Sequence, residues 1–250
     1  MKTLSRILYR TESIDAIPID AVRQSLERDH IACLRGLFKR DAIEAAKASI
    51  AGSFAPENDH PTSGNPADFA KRNFQKLRVG ILPDKTNVAR LLRTFYNPIW
   101  AEDIYGMRET FRSLARIRNR LLGEPEHFAI DKEEDGLWTS ARIHQYPVGG
   151  GFMSAHQDTG ASEAAISRGM GYLQLFVSMS AKGIDYEKGG AYVEHNRGRL
   201  AVDDFCLPGD IVMYDGAAVH GVAEIDPHRC LDMKTFSGRV VAFANLWGNQ

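Results

Sequence analysis

The chain has 250 residues, with 31 Lys+Arg against 32 Asp+Glu, a formal net charge of −1 and 44% hydrophobic side chains. That balance argues against a dedicated nucleic-acid binder, which carries a basic excess, and against a disordered chain, which is poorer in apolar residues. No stretch approaches the roughly 18 consecutive apolar residues of a membrane span, and the opening MKTLSRILYRTESID lacks the apolar run of a secretory signal.

In chain order, Ile19, Val22 and Leu26 recur at helical spacing, followed by a short apolar run at residues 31–34. Residues 39–50 predict a second helix, with Ile43, Ala46 and Ile50 on one face. Residues 55–67, with Pro56, Pro61 and Pro66, read as a long surface loop. Beyond it Asn87 is placed to cap a helix carrying Val88, Leu91, Leu92 and Phe95, ended by Pro98. The strongest helical pattern follows: Ile104, Met107, Phe111, Leu114, Ile117 and Leu121 step by three or four, closed by Gly123 and Pro125. Arg108, Arg112, Arg116 and Arg120 flank that stripe and read as a solvated face, because the chain as a whole is neutral. Arg72, Lys76 and Arg78 follow the polar loop and read as part of a solvated loop, with a lid over an anionic substrate as the sharper alternative.

From residue 139 the period changes. Residues 139–148, 172–180, 191–194, 210–214 and 238–247 are short, rich in β-branched and aromatic residues, and separated by Gly, Asp, Asn or Pro. The expected architecture is α+β, a single domain over 1–250, with a helix-rich support at 1–138 packed outside a β core at 139–250.

Within the β half stands His156-Gln157-Asp158. With 8 His and 32 acidic residues, chance alone places about one His-x-acid in such a chain, so context has to discriminate. On an extended chain residues i and i+2 point to one side, so His156 and Asp158 can face one ion. His220, after the Pro208-Gly209 turn, a buried strand and the Asp215-Gly216 turn, is the natural second imidazole. Two His and one carboxylate leave adjacent positions open, the pattern of non-haem Fe(II) oxygen chemistry. The interval from Asp158 to His220 has room for roughly four strands, about what a jelly roll needs to bring the two together. The last strand begins at Arg239, which shares parity with Val241, Phe243, Asn245 and Trp247. If that face lines the interior, a buried guanidinium awaits an anionic partner, best a carboxylate.

Four segments together resemble the Fe(II)/2-oxoglutarate-dependent oxygenases, in style the phytanoyl-CoA dioxygenase-like group. They are residues 29–38 (DHIACLRGLF), 143–158 with Tyr146 and the His-Gln-Asp, 208–220, and 239 onward; roughly 52–138 lies outside the resemblance. The resemblance implies a double-stranded β-helix (jelly-roll, cupin-like) core with helices outside. It implies Fe(II) held by His156, Asp158 and His220, and 2-oxoglutarate with its distal carboxylate on Arg239 and help from Tyr146 or Gln174. O2 is the third reactant, and hydroxylation of an unactivated C–H releases succinate and CO2. Halogenases of this group lack the carboxylate, so Asp158 favours hydroxylation, with desaturation or cyclisation open. Two departures stand out: Arg239 follows His220 at a longer interval than in many relatives, with Arg229 between them in the polar run 226–229, and residues 189–195 replace a frequent Pro-Gly-Ser-His, leaving His195 as a decoy or substrate contact.

Arg142, His144, Asn245 and Trp247 are candidate substrate contacts, with core packing as the alternative for each. The partner expected is a small molecule, an amino acid or biosynthetic intermediate, with neither nucleic acid nor membrane. Cys33, Cys206 and Cys230 are scattered, which argues against a disulfide scaffold or zinc ribbon and for a reducing, cytoplasmic setting. A cupin-type metalloenzyme that does not use 2-oxoglutarate and a non-catalytic jelly-roll ligand-binding module are the rival readings; cupins usually offer a His-x-His and a later Glu, absent around His156.

Overall fold

A computed structural model describes residues 4–59, 74–81, 88–158, 163–195 and 198–248. The elements are α1 (Leu4–Ile7), β1 (Leu8–Arg10), α2 (Ile19–Asp29), β2 (Ile31–Arg35), α3 (Arg40–Ser53), a 3-10 turn (Pro56–Asn58), β3 (Phe74–Ile81), β4 (Val88–Tyr96), α4 (Arg108–Leu122), β5 (Leu137–Tyr146), β6 (Gly151–His156), α5 (Glu163–Ser167), β7 (Leu173–Ser178), β8 (Gly190–His195), β9 (Gly198–Ala201), β10 (Ile211–Asp215), β11 (His220–Ile225) and β12 (Arg239–Gly248). The strands join in the order β1-β2-β10-β7-β12-β5-β4-β6-β11-β8-β9, with β3 added beside β4. Four of them, β1 to β4, come from the segment read as helical support.

Alternation along the strands divides two faces. On one, Ala141, Ile143, Leu175, Val177, Ile211, Met213, Val240, Ala242 and Ala244 bury against Phe111, Leu114 and Ile117 of α4, Val22 of α2 and Ile43 and Ile50 of α3. Helices therefore pack outside the sheet, as expected. The period of two sends the intervening residues, Arg142, His144, Tyr146, Arg239, Val241, Phe243 and Asn245, to the opposite, inner face. There the sheet folds over itself: Val193, Ala191 and Val202 share one buried cluster with Phe176, Val212, Val241 and Phe243. This is the jelly-roll core. The fold-over turns at β4, which pairs with β5 through Arg93–Tyr96 and with β6 through Ala89 and Arg90. Leu91 between them takes a left-handed φ of 57°, a local kink that hands the strand from one layer to the other.

Helix α4 begins where its sequence pattern does not. Ile104 and Met107 precede it, because the Asp103 carboxylate accepts the Met107 and Arg108 N–H groups (2.9 and 3.0 Å) and fixes the first turn. It ends at Gly123, whose φ of 78° suits glycine. Phe111 is buried against the sheet, and Phe111→Ala is expected to cost about 3–5 kcal/mol in a urea unfolding titration. A loss under about 1 kcal/mol would mean that α4 is not packed as described. The arginine stripe is partly ion-paired at the surface, Arg112 to Asp131 (2.8 Å) and Arg116 to Glu126. The buried arginine of this helix is Arg118, outside the stripe: it donates to the Ala244 carbonyl (2.9 Å) and Thr139 Oγ1 (3.1 Å), and burial lowers its pKa to about 9.

One expectation is overturned. The segment around Val88, Leu91, Leu92 and Phe95 is strand β4, not a helix. Residues 92–96 are buried on both faces, so the period-two alternation of a half-exposed strand is erased and a helix-like spacing remains by coincidence. Residues 60–67 of the proline-rich stretch, Arg72 and Asn87 lie outside the described residues; Lys76 and Arg78 belong to strand β3 rather than to a loop. Among the described residues no helix is long and apolar enough to cross a membrane.

Candidate metal centre and inner face

Strand β6 ends at His156 and strand β11 begins at His220, and the two are register partners. Their rings lie 4.3 Å apart, centroid to centroid. Asp158 follows two residues after His156, its N–H bonded to the Gly216 carbonyl (2.8 Å). Gly216 is a glycine for a spatial reason: a Cβ there would meet the Asp158 carbonyl oxygen at 2.6 Å. Asp158 Oδ1 is 3.7 Å from His156 Nε2, and Oδ2 is 3.3 Å from His220 Nε2. One ligand atom from each of the three residues lies within 4.8 Å of the others. Four strands, β7 to β10, separate Asp158 from His220 in the described chain, matching the interval expected.

The outer nitrogens of the two rings are pinned. His156 Nδ1 lies 2.8 Å from the Ser154 carbonyl and His220 Nδ1 lies 2.9 Å from the Ala218 carbonyl. A carbonyl only accepts, so each Nδ1 carries a proton, and each Nε2 is the ring atom turned toward Asp158. Pinning of this kind is how metal-binding imidazoles are oriented. Charge agrees. Burial and the neighbouring His220 lower the His156 pKa, favouring the neutral ring. Burial alone would raise Asp158, but the His220 hydrogen bond and charge, with the Gln174 amide, outweigh it and hold the carboxyl at about 2. The donor set, two imidazoles turned through Nε2 and one ionised carboxylate, fits a divalent first-row metal.

Gln174 donates to Asp158 Oδ2. Asn245 donates to Gln174 Oε1 (2.6 Å) and to the Tyr172 hydroxyl (3.4 Å), so a chain of side chains braces the carboxylate. Gln174→Leu is expected to weaken Fe(II) or Co(II) affinity about 10- to 100-fold, the range for removing a ligand's supporting hydrogen bond. An unchanged metal titration would sink that role.

Arg239 is buried (3% exposed) on the inner face, as its parity predicted. It is not an edge charge, since β12 pairs with β5 and β7. Its guanidinium lies 5.6 Å from the Tyr146 ring and 5.4 Å from Phe176. The anionic partner the sequence left open is supplied partly by the chain: Arg239 Nε donates to Asp203 Oδ2 (2.7 Å) and Nη2 to Oδ1 (3.4 Å). Asp203 also accepts from the Tyr186 hydroxyl (2.6 Å) and the Ala191 N–H (2.8 Å). Burial would lower the Arg239 pKa, and the Asp203 charge outweighs it. Asp203 was not foreseen; nothing around the Asp203-Asp204 turn marks it. Arg78 was also underread: from β3 it adds positive charge that, after burial and His220, lowers the His156 pKa.

The remaining candidates sit as follows. His144 stacks near Phe243 (4.7 Å) and Arg142 lies on the same face. Trp247 pairs with Trp138 (6.3 Å) at the far end of β12. The His195 side chain lies outside the described residues. Arg229 is half-exposed beside Asp226 (3.6 Å), in the polar run where it was read as a loop residue. Cys33 and Cys206, far apart in sequence, come together with Asp210. The Asp210 carboxylate is taken by Arg35 (2.6 Å) and the Leu207 N–H (2.9 Å), so that group is a structural ion pair beside two buried thiols.

No family model and no curated protein matches the chain in sequence. The fold does match. A prolyl-4-hydroxylase from Pseudomonas putida superposes with TM-score 0.56 at 12% identity, over 93% of this chain and 100% of that one. SnoN, a non-haem α-ketoglutarate-dependent epimerase from nogalamycin biosynthesis, gives 0.55 at 12%, over 92% and 82%. JOX2, solved with 2-oxoglutarate, Fe and JA, gives 0.57 at 12%, over 97% and 74%. The chain thus has the fold of the Fe(II)/2-oxoglutarate oxygenases; the phytanoyl-CoA dioxygenase-like subgroup is not singled out by these likenesses.

Proposed function

We propose that this protein is a non-haem Fe(II)- and 2-oxoglutarate-dependent oxygenase that hydroxylates an unactivated C–H of a small molecule, releasing succinate and CO2. One observation carries the reading: two imidazoles, each with Nδ1 pinned on a backbone carbonyl, converge their Nε2 atoms on one half-buried, ionised carboxylate. His156, Asp158 and His220 would hold the metal on one side and leave the other open to reactants. Bound there, iron with its co-substrate supplies the O2 activation that no side chain can. Arg239 keeps Nη1 beyond its contacts with Asp203, and that group takes the distal carboxylate of the co-substrate, with Tyr146 beside it. Gln174 keeps Asp158 turned toward the two rings. Phe176, Phe243, Val241 and Tyr214, all buried, exclude water between the arginine and the triad. The small-molecule substrate and the cytoplasmic setting belong to this proposal as well.

The test is substrate-free turnover. Incubated with Fe(II), O2 and 2-oxoglutarate, the protein is expected to form succinate slowly, and His156→Ala to stop it. Absence of divalent-metal binding would favour the ligand-binding module; metal-dependent turnover without 2-oxoglutarate would favour the cupin-type enzyme. Either outcome overturns the proposal.

A further inference from the structure

Among the described residues four arginines are buried deeply enough to need a counter-charge, and the fold treats one of them differently. Arg93 pairs with Asp59 (2.8 Å), and Arg239 with Asp203 (2.7 Å). Arg118 has no carboxylate but spends its donors on Asn119, Thr139 and a backbone carbonyl at 2.8–3.1 Å. Arg142 is 7% exposed, and among the described residues no carboxylate lies within ion-pair distance of it. Its hydrogen bonds go to uncharged side chains, Nε to His144 Nε2 (3.3 Å) and Nη1 to Ser140 Oγ (3.3 Å), with the Tyr172 hydroxyl as a further partner. Beneath it lie the Phe243 and Trp247 rings, 5.3 and 5.8 Å from the guanidinium carbon. A buried guanidinium without an anion is costly, and aromatic faces and bonds to uncharged groups recover only part of that cost.

Its place along the sheet tells which molecule could supply the anion. Arg142 is the register partner of Phe243, whereas Arg239 is the partner of Tyr146. Phe243 and Arg239 are four residues apart on β12, about 13 Å at strand rise. The triad is braced through Asn245 and Gln174, on the Trp247 side of Phe243. Arg239 therefore lies at one end of the inner face and Arg142 near the level of the triad. Next to Arg142 on the same face, Trp138 and Trp247 pair across β5 and β12, and Trp100, 48% exposed, meets Trp138 at 5.9 Å. A molecule entering past these rings meets Arg142 before it reaches the inner end.

We propose that Arg142 is the anchor for an anionic group, a carboxylate, on the molecule to be oxidised, and that the Trp138–Trp247 wall receives the apolar or flat body attached to it. This rests on the oxygenase reading for what happens to the bound acid, but not for its binding. The guanidinium offers a planar pair of donors that matches a carboxylate, and charge neutralisation inside the face makes the acid, not its amide, the ligand.

The experiment uses the full chain kept metal-free with chelator, so that a carboxylate cannot bind through the metal. Phenylacetate and hexanoate are titrated against intrinsic tryptophan fluorescence, alongside phenylacetamide and hexanamide. Saturable binding of at least one acid, at least tenfold tighter than its amide, is expected. Arg142→Gln should abolish that preference and Arg142→Lys should restore part of it. Excess 2-oxoglutarate should not displace the acid. Equal binding of acid and amide, or no binding of either acid, overturns the proposal without any variant having to fold. Displacement by 2-oxoglutarate also overturns it, by making Arg142 the co-substrate's anchor. A separate anaerobic titration of Fe(II) and 2-oxoglutarate reports on the oxygenase reading: no visible absorption band there, with acid binding intact, sinks that reading and leaves this one.

Discussion

Replacing His220 with alanine is expected to reduce Fe(II) affinity by more than about a hundredfold and to abolish 2-oxoglutarate decarboxylation. The lower bound follows from supporting hydrogen bonds alone being worth about 10- to 100-fold at such centres; removing a donor atom exceeds that. The effect is compounded at Asp158. Its carboxyl is held at about 2 against the upward push of burial, chiefly by the His220 hydrogen bond and charge. Without His220 that support goes, and a carboxyl that can hold a proton is a weaker ligand. His220 is 4% exposed and rests against the Tyr214 ring at 4.4 Å, so the variant also leaves a cavity. His156→Ala, whose side chain is 9% exposed, is expected to behave likewise: both variants lose stoichiometric metal in calorimetric titration. A His220→Ala protein that binds one Fe(II) at parental affinity refutes the triad.

The second large effect concerns Arg239 and Asp203. Arg239→Met leaves the Asp203 carboxylate buried without its cation, and breaking a buried pair by removing one partner costs about 3–5 kcal/mol. The same variant should lose the absorption band that Fe(II) and 2-oxoglutarate give anaerobically. Two explanations for that loss, unfolding or a missing carboxylate anchor, are separated by adding Asp203→Asn. Asparagine can still accept the Tyr186 hydroxyl and Ala191 N–H bonds that Asp203 accepts, but it carries no charge. The double variant is expected to regain most of the stability in urea titration, because removal of both charges of a buried pair is close to neutral. It should not regain the band. If the double variant binds 2-oxoglutarate with parental affinity, Arg239 is a structural residue and the distal carboxylate is held elsewhere.

How far the site was legible in the sequence depends on how each residue is placed. His156 and Asp158 are neighbours on an extended segment, so period two alone puts them on one side. His220 required only the count of strands between. Arg239 was legible because it begins a near-continuous apolar strand and shares parity with Phe243 and Asn245. Gln174 was legible as a polar residue near the mouth, but its bond to Asp158 was not: alternation gives the side of a sheet, not which polar groups on that side meet. Asp203 was missed altogether. It reaches Arg239 from 36 residues away through a turn, and a turn has no period to read. The strand at 88–96 was misread for a related reason, since burial on both faces removes the alternation that marks a strand.

The sequence by itself determined the fold class, the face on which each strand residue falls and the identity of the donor set, because hydrophobic period and i to i+2 geometry are local properties of the chain. The tertiary structure alone decided the charge pairing. Arg239 meets Asp203, Gln174 meets Asp158, and Arg142 meets no acid among the described residues. Ion pairing inside a core depends on which distant turns fold over a strand, and desolvation makes each such pairing, or its absence, energetically decisive. The chain's net charge of −1 says nothing of this: near-balance over the whole molecule coexists with two buried guanidiniums, Arg118 and Arg142, left without an acid partner among the described residues.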